Sequence, residues 1–399
     1  MTLWGEEMFL PEPDQRETKF TIISVDDHVV EPRHMFEGRL PGHLQDRAPR
    51  VVETSAGHEV WEFEGRRHYQ AGMNAIVGRR RDSVVVEPLR FEHMRAGCYD
   101  VHARIKDMDI NGVWASVNFP SMIAGFCGRV FSQADDAELG LAATRAWNDW
   151  FFEEWYSEYP DRLVPMGITF LTEPERGADE IRRNAERGFT SVSLPDRPQR
   201  IGLPSLFSGY WDPIVRACAE TSTVISLHVG SSGQYEAPPD TGKLTVQLSS
   251  TLFGQMALAA SAEWLWSGYA AKHPDLKIAM SEGGIGWVAM LVERLDSICD
   301  RSGYGNEGLG GMRPADVLRR NFWFCTIEDV AAMETRYTIG VDNICVEVDY
   351  PHGDSTWPDT QAVLEKNWGH LPTHELRMIC SENAARLYRV PLPEVVLPS

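Results

Sequence analysis

The chain has 399 residues, 43% of them hydrophobic, and 58 Asp and Glu against 38 Lys and Arg give a formal net charge of -20. This length buries a sizeable core in one large domain or two, and the charge argues against a nucleic-acid binder or a protein held on anionic lipid, both of which need positive potential. The start, MTLWGEEMFLPEPDQRE, is acidic without an apolar h-region, and no run of about twenty apolar residues follows, so neither a secretory signal nor a membrane span is expected.

The first apolar run, FTIISV, ends in Asp26-Asp27-His28. Residues 30 to 97 then break the rhythm, and within them HEVWEFEGRRHYQ alternates like a hairpin with its turn near Glu64-Gly65. From about residue 100 the alternation is regular. The helix DVHARIKDMDINGV leads to the strand VWASVNF, and a long helix through AELGLAATRAWNDWFFEEWYSEYP leads to RLVPMGITF. ADEIRRNAERG precedes FTSVSLP, WDPIVRACAETS precedes TVISLHV, and FGQMALAASAEWLWSGYAAKHP precedes KIAMSEG. WVAMLVERLDSIC and PADVLRR lead to NFWFCT, DVAAMETRYTIG leads to NICVEVDY, and terminal helices cover QAVLEKNWG and SENAARLYRV. The strand segments are continuously apolar, as in a parallel sheet covered on both faces. Counting FTIISV, there are eight, the number that closes an α/β (β/α)8 TIM barrel.

On this reading residues 20–390 are one barrel, 30–97 an insertion over its mouth and 1–19 an N-terminal extension. Arg66, Arg67, His68 and the run Arg79-Arg80-Arg81 lie in the insertion, where they could meet an anionic substrate. The competing doubly wound sheet predicts a glycine-rich phosphate turn after the first strand; Asp26-Asp27-His28 is not one, and Gly283, Gly284 and Gly286 do not form GxGxxG. The seven dispersed cysteines, mostly in apolar segments and without CxxC, read as reduced core thiols of a cytoplasmic protein. The aromatics Trp147, Trp150, Phe151, Phe152, Trp155 and Tyr156 exceed what one helix face buries, which points to a homodimer contact or to packing between barrel and insertion.

Polar residues end several strands. Asp26 and His28, at i and i+2, point to one side of an extended strand, with Asp27 opposite. His228 ends TVISL, Glu282 follows KIAMS, and Asp349 ends NICVEV with His352 just beyond. All strand ends of a barrel face one mouth, so Asp26, His28, His228, Glu282 and Asp349 are candidate ligands of a divalent metal, and Asp349, Glu282 and His352 candidate catalytic groups. The bland alternatives are a turn or cap for Asp26 and His28, a backbone-satisfied core histidine for His228, an ion pair for Asp349 and a helix cap for Glu282. Asp27 and His102 are weaker candidates, and Trp287, Trp357, Phe119 and Phe126 could wall a substrate or simply pack.

With DDH, SLHVG, the Gly-rich turn after strand six, VDYPHG and SENAARLY in this order, the chain resembles the amidohydrolase superfamily, within it the amidohydrolase-2 group related to aminocarboxymuconate-semialdehyde decarboxylase. The resemblance runs from about residue 20 to 390, with 30–97 divergent. It implies a metal, zinc first, at the barrel mouth held by Asp26, His28, His228 and Asp349; Glu282 as a further oxygen ligand leaves iron or manganese, and a pair of ions, open. The chain departs from the group at strand six, where HxGxG is expected and Glu282-Gly283-Gly284-Ile285-Gly286 stands. A carboxylate in place of an imidazole favours a metal-dependent hydrolase in which metal-activated water attacks an acyl carbon of an ester, thioester, amide or ring-cleavage ketone. The alternatives are non-oxidative decarboxylation of an aromatic or unsaturated acid, which needs a positive cluster near the metal and a proton donor such as His352 or His102, and a nonenzymatic binding barrel. The expected partner is a small-molecule substrate.

Overall fold

A computed structural model describes residues 8–69, 72–87, 89–233, 235–302 and 307–399; the first seven residues of the N-terminal extension and Gln70 of the hairpin run lie outside them. β1 (Ile22–Val29) is buried along its whole length and pairs in parallel with β5 (Val113–Pro120). Next comes β6 (Leu163–Val164), and then Pro165, which has no N–H to give and splits the expected strand. The ladder resumes at β7 (Met166–Gly167) and continues in parallel through β8 (Ser191–Leu194), β9 (Val224–His228), β10 (Ile278–Ser281), β11 (Phe322–Thr326) and β12 (Ile344–Val346). Pro165 still accepts from Thr190 N–H at 3.0 Å, so β6 and β7 act as one barrel strand. On the other side Asp349 N–H donates to the Asp26 carbonyl at 2.8 Å and His28 N–H to the Tyr350 carbonyl at 2.6 Å, joining the last strand to the first. The fold is a (β/α)8 barrel.

Helix boundaries follow local chemistry. Asp100 caps Val101–Asn111 by accepting from Ala103 N–H at 2.8 Å, and Gly112, at φ +67°, ends that helix. Asp136 caps Ala137–Trp150, which continues as a π turn over Phe151–Tyr156. Trp147, Trp150, Phe151 and Trp155 are buried within the chain, and only Phe152 and Tyr156 are partly exposed. The aromatic surface behind the homodimer expectation is thus largely consumed internally. DVAAMETRYTIG, expected as one helix, is a short 3-10 turn (Ala332–Thr335) followed by Arg336–Ile339. Among the described residues no helix is long and apolar enough to cross a membrane.

The barrel interior is a separate apolar layer, with Ile23, Val25, Ala115, Val117, Phe119, Val224, Ala279, Cys325 and Cys345 facing inward and Tyr388 among them. Residues 30–97 hold a three-stranded antiparallel sheet, β2 (Arg50–Glu53), β3 (Glu59–Phe63) and β4 (Arg66–His68), with the turn at Glu64-Gly65. Its contacts are with loops that follow barrel strands: the Glu64 carboxylate accepts from Asp135 and Asp136 N–H, and Ile76 N–H donates to the Pro351 carbonyl.

Glu31, three residues past His28, is fully buried and accepts from Met122 N–H at 2.9 Å and Trp147 Nε1–H at 3.2 Å, fixing the loop after β5. Burial raises its pKa from 4.5 to about 7. The folded chain therefore binds this proton more tightly than the unfolded chain, and the contribution to stability, complete below about pH 4.5, is lost as pH rises through 7. At about 1.4 kcal/mol per unit the loss reaches at most about 3 kcal/mol. Glu31→Gln is expected to flatten this part of the stability profile, read as urea midpoints at pH 5 and pH 8; equal slopes for the two chains would refute the assignment.

Candidate metal centre at the barrel mouth

A β-bulge aims the first two candidate ligands. Ser24 pairs with Ser116 and Asp27 with Asn118, so β1 carries one extra residue between these points. Ile23 and Val25 face the interior, and strict alternation from them would turn Asp26 and His28 outward; the extra residue reverses this and brings both inside. Asp27 instead accepts from Ser24 Oγ at 3.0 Å and Tyr350 N–H at 3.1 Å, a clasp across the strand-one to strand-eight joint. Burial raises its pKa to about 6, against the opposing field of Arg104. His228 ends β9 on the inward period of Val224 and Ser226. Its Nδ1–H donates to the Val229 carbonyl at 2.6 Å, leaving the Nε2 lone pair for the interior.

Glu282 and Asp349 are in the left-handed region, at φ +60° and +55°. This costs a non-glycine residue on the order of 1 kcal/mol and re-aims each side chain at the strand end. Gly283 follows where a Cβ would meet the Ala257 Cβ at 2.4 Å, which explains a glycine at this step of the turn.

The five candidate ligands converge. His28 Nε2 and His228 Nε2 are 2.9 Å apart, His28 Nε2 is 3.3 Å from Asp26 Oδ1 and 3.7 Å from Asp349 Oδ1, and His228 Nε2 is 3.5 Å from both Asp26 Oδ2 and Glu282 Oε2. Donors held about 2.1 Å from one ion are separated by about 3.0–3.4 Å, so these spacings match the edges of a coordination polyhedron. Both oxygens of Asp26 and both of Asp349 are buried without a hydrogen-bond donor. Buried carboxylates in that condition need a cation or a proton, and the residues present fit a divalent ion. His352 stacks on His28 with centroids 3.7 Å apart, and its Nδ1 is 2.9 Å from Asp349 Oδ1. Phe126 packs 5.0 Å from the His28 ring and 4.4 Å from that of His228, with Phe119 beside both.

The electrostatics of the cluster follow burial. It raises Asp26, with Glu347, Asp349 and Glu282 adding to the effect, and it raises Glu282 and Asp349. It lowers His28 well below the usual range, and His228 and His352 to about 3. A bound cation would reverse this pressure on the carboxylates, and the neutral imidazoles of His28 and His228 would suit it as ligands.

His102 lies elsewhere, exposed and paired with Tyr159 Oη at 2.9 Å. Trp287 packs on Phe324, and Trp357 donates to the Asp107 carbonyl. Arg66 is engaged by Asp135 and Arg80 by Asp82. Arg79 is buried and tied to Ser83 through Nε and Nη2, with Nη1 unpartnered. With Arg81, Val77 and Trp357 it lines a cavity of about 590 Å³ that His352 also borders. A second cavity, about 560 Å³, is bounded by Glu282, Glu328, Asp329, Glu347 and Asp354. Glu347 and Cys325, absent from the sequence-based candidates, are buried at the same mouth. Glu347 precedes Asp349 by two, and that period was a legible signal.

The chain belongs to the amidohydrolase family, whose model (Amidohydro_2) matches residues 118–390. Among solved structures it is similar to an amidohydrolase from Mycobacterium avium subsp. paratuberculosis K-10, at 20% identity over 93% of this chain and 100% of that one, with a TM-score of 0.69. It is also similar to 5-carboxyvanillate decarboxylase from Novosphingobium aromaticivorans DSM 12444, complexed with manganese and 4-hydroxy-3-methoxy-5-nitrobenzoic acid (18% identity, 94% and 98% covered, TM-score 0.62). A third is a dihydroxybenzoic acid decarboxylase from Polaromonas sp. JS666 with bound manganese and 2-nitroresorcinol (17% identity, 94% and 98% covered, TM-score 0.60). No curated protein matches the chain significantly. At these identities the likeness establishes the shared fold.

If the cluster binds a divalent ion, folded protein gains about 2.7 kcal/mol when the free ion is at one hundred times its Kd. Manganese or zinc is therefore expected to raise the melting temperature, and elemental analysis to find the ion in unchanged protein and less of it in Glu282→Gln and Asp349→Asn. Melting temperatures indifferent to metal and to chelator, with no ion retained, would remove the metal centre.

Proposed function

We propose that the chain is a divalent-metal-dependent enzyme that removes CO2 from an aromatic or unsaturated carboxylic acid. The observation that carries this reading is His352, buried against Asp349 and His28 and bordering a cavity that Arg79 and Arg81 also line. This supplies the two elements such a reaction requires, a proton carrier and cationic groups for an acidic substrate. The manganese-bound decarboxylases of similar fold support the same reading, and they move manganese ahead of zinc for a donor set richer in oxygen than nitrogen.

Asp26, His28, His228, Glu282 and Asp349 would hold a divalent ion, which would supply positive charge to stabilise negative charge on the oxygens of the substrate. Arg79 and Arg81, which line the cavity, attract the acid by their positive charge. His352, which takes up a proton when the negative charge of the bound acid lies beside it, delivers that proton to the carbon that carries the carboxylate. The C–C bond then breaks, its electron pair returns to the carbon framework, CO2 leaves, and water reprotonates His352. Phe119 and Phe126 close an apolar wall beside the imidazoles.

Acyl hydrolysis is the second reading, and Glu282 favours it. Its side chain is 13% exposed, with the carboxylate 3.5 Å from His228 and 4.0 Å from His352, and it borders the acidic cavity. There it could take a proton from water attacking an acyl carbon.

Metal-loaded protein should be offered hydroxybenzoates, among them 5-carboxyvanillate and 2,6-dihydroxybenzoate, next to simple esters and amides. Release of CO2 is expected, with kcat reduced by about 10²-fold or more in His352→Asn and KM raised in Arg79→Gln. Turnover of esters or amides with no CO2 from any acid would overturn decarboxylation in favour of hydrolysis.

A further inference from the structure

We propose that Asp26, Cys325 and Glu347 form a second cation subsite of mixed thiolate and carboxylate character, beside the His28–His228 cluster and sharing Asp26 with it. The inference rests on the reading of that cluster as a metal centre and extends it to a pair of ions.

One potential ligand atom from each of Asp26, Cys325 and Glu347 lies within 4.8 Å of the other two. Asp26 is 0%, Cys325 1% and Glu347 3% exposed. The placement is built into the strands: Cys325 and Cys345 face the interior, and Glu347 follows Cys345 by two, which keeps it on the inward side. The thiol of Cys325 hydrogen-bonds to Glu347 Oε2, the oxygen that also accepts from Glu282 N–H at 3.1 Å. Asp26 supplies the independent sign of a ligand. Its two oxygens are completely buried, lack any donor, and offer more lone pairs than one ion can use.

Charge balance leads to the same place. Asp26, Glu282, Glu347 and Asp349 converge, and among the described residues none has a Lys or Arg nitrogen within 4.0 Å; the ion pairs of Asp26, Glu282 and Asp349 are all with histidine. One divalent ion leaves two of these four negative charges uncompensated; a second ion, counted with the Cys325 thiolate that it binds, leaves one. Glu347 borders the acidic cavity of about 560 Å³, which gives an ion a route to it. As the ion enters, the S–H bond of Cys325 breaks, the proton passes to solvent, and the electron pair stays on sulfur as the ligand. Uptake therefore strengthens with rising pH. A thiolate between carboxylates selects zinc or cobalt over magnesium or calcium.

Metal-free protein titrated with Co²⁺ decides the matter, because a thiolate ligand adds a sulfur-to-cobalt charge-transfer band in the near ultraviolet. The unchanged chain is expected to bind about two equivalents and show the band, Cys325→Ser to bind about one without it, and Glu347→Gln to weaken the second equivalent by about tenfold. One equivalent without the band, or two equivalents without it, would overturn this subsite and leave the first centre standing. No cobalt bound at all would remove both. Circular dichroism of the metal-free variants checks that they fold, and the band in the unchanged chain decides the question if they do not.

Discussion

Two backbone hydrogen bonds, from Asp349 N–H to the Asp26 carbonyl and from His28 N–H to the Tyr350 carbonyl, set Asp26, His28 and Asp349 side by side although more than 300 residues separate them in the chain. Everything proposed for the mouth depends on this joint, and it is reinforced from several directions. Ser24 Oγ accepts from Val348 N–H, and Asp27 accepts from Ser24 Oγ and Tyr350 N–H. Arg104 donates to the carbonyls of Gly97 and His28 and lies over the Tyr350 ring, with its guanidinium carbon 4.2 Å from the centroid. The buried groups that look surplus to the metal cluster therefore have work in positioning it. Asp27 is the clearest case: the neighbour of two candidate ligands is itself a brace.

The joint also concentrates an electrostatic cost. Asp26, Glu282, Glu347 and Asp349 share one low-dielectric region, where burying an uncompensated ion costs several kcal/mol. Burial and mutual repulsion push all four carboxyl groups up, toward the protonated form. A divalent ion replaces protons at these groups with a stronger and more local positive charge. Burial of the acids thus opposes folding of the empty chain and favours the loaded one, which couples cation affinity to stability. The left-handed backbone at Glu282 and Asp349 belongs to the same account, since strain at a strand end persists where the surroundings hold it.

Much of this was legible in the residues. Eight apolar runs, each followed by a helix, specify the barrel, and polar endings on strands one, five, six and eight mark the end at which the candidate ligands converge. The direction of Asp26 and His28 was only half legible. Their shared side follows from i and i+2, but whether that side is the interior depends on the bulge between Ser24 and Asp27, a register feature set by the partner strand. Glu347 was readable from the period of VEVD, whereas Cys325 needed strand order, because nothing local separates an inward thiol bonded to a carboxylate from any other core cysteine. Arg79 was one of several arginines in a divergent stretch. Its distinction is burial with Nη1 left over, which only the packing of Met8, Ser83 and the loop from Ile76 can produce. The split strand at Pro165 is the reverse case, since proline forecasts a break in the ladder without saying that the barrel continues across it.

His352 stands between two environments, and this bears on which chemistry the mouth performs. One cavity presents Arg79, Arg81 and Trp357; the other presents Glu282, Glu328, Asp329, Glu347 and Asp354. Gly353 and Ser355 border both, so the loop after strand eight divides a cationic, partly apolar space from an acidic one. An organic acid entering from the acidic side would lose Coulomb energy against five carboxylates, while from the arginine side it gains a charge-assisted contact and reaches His352 first. Water or a neutral acyl compound has no such preference and can reach Glu282 directly. The asymmetry ties substrate charge to the residue first encountered, and for an acid that residue is the imidazole of His352.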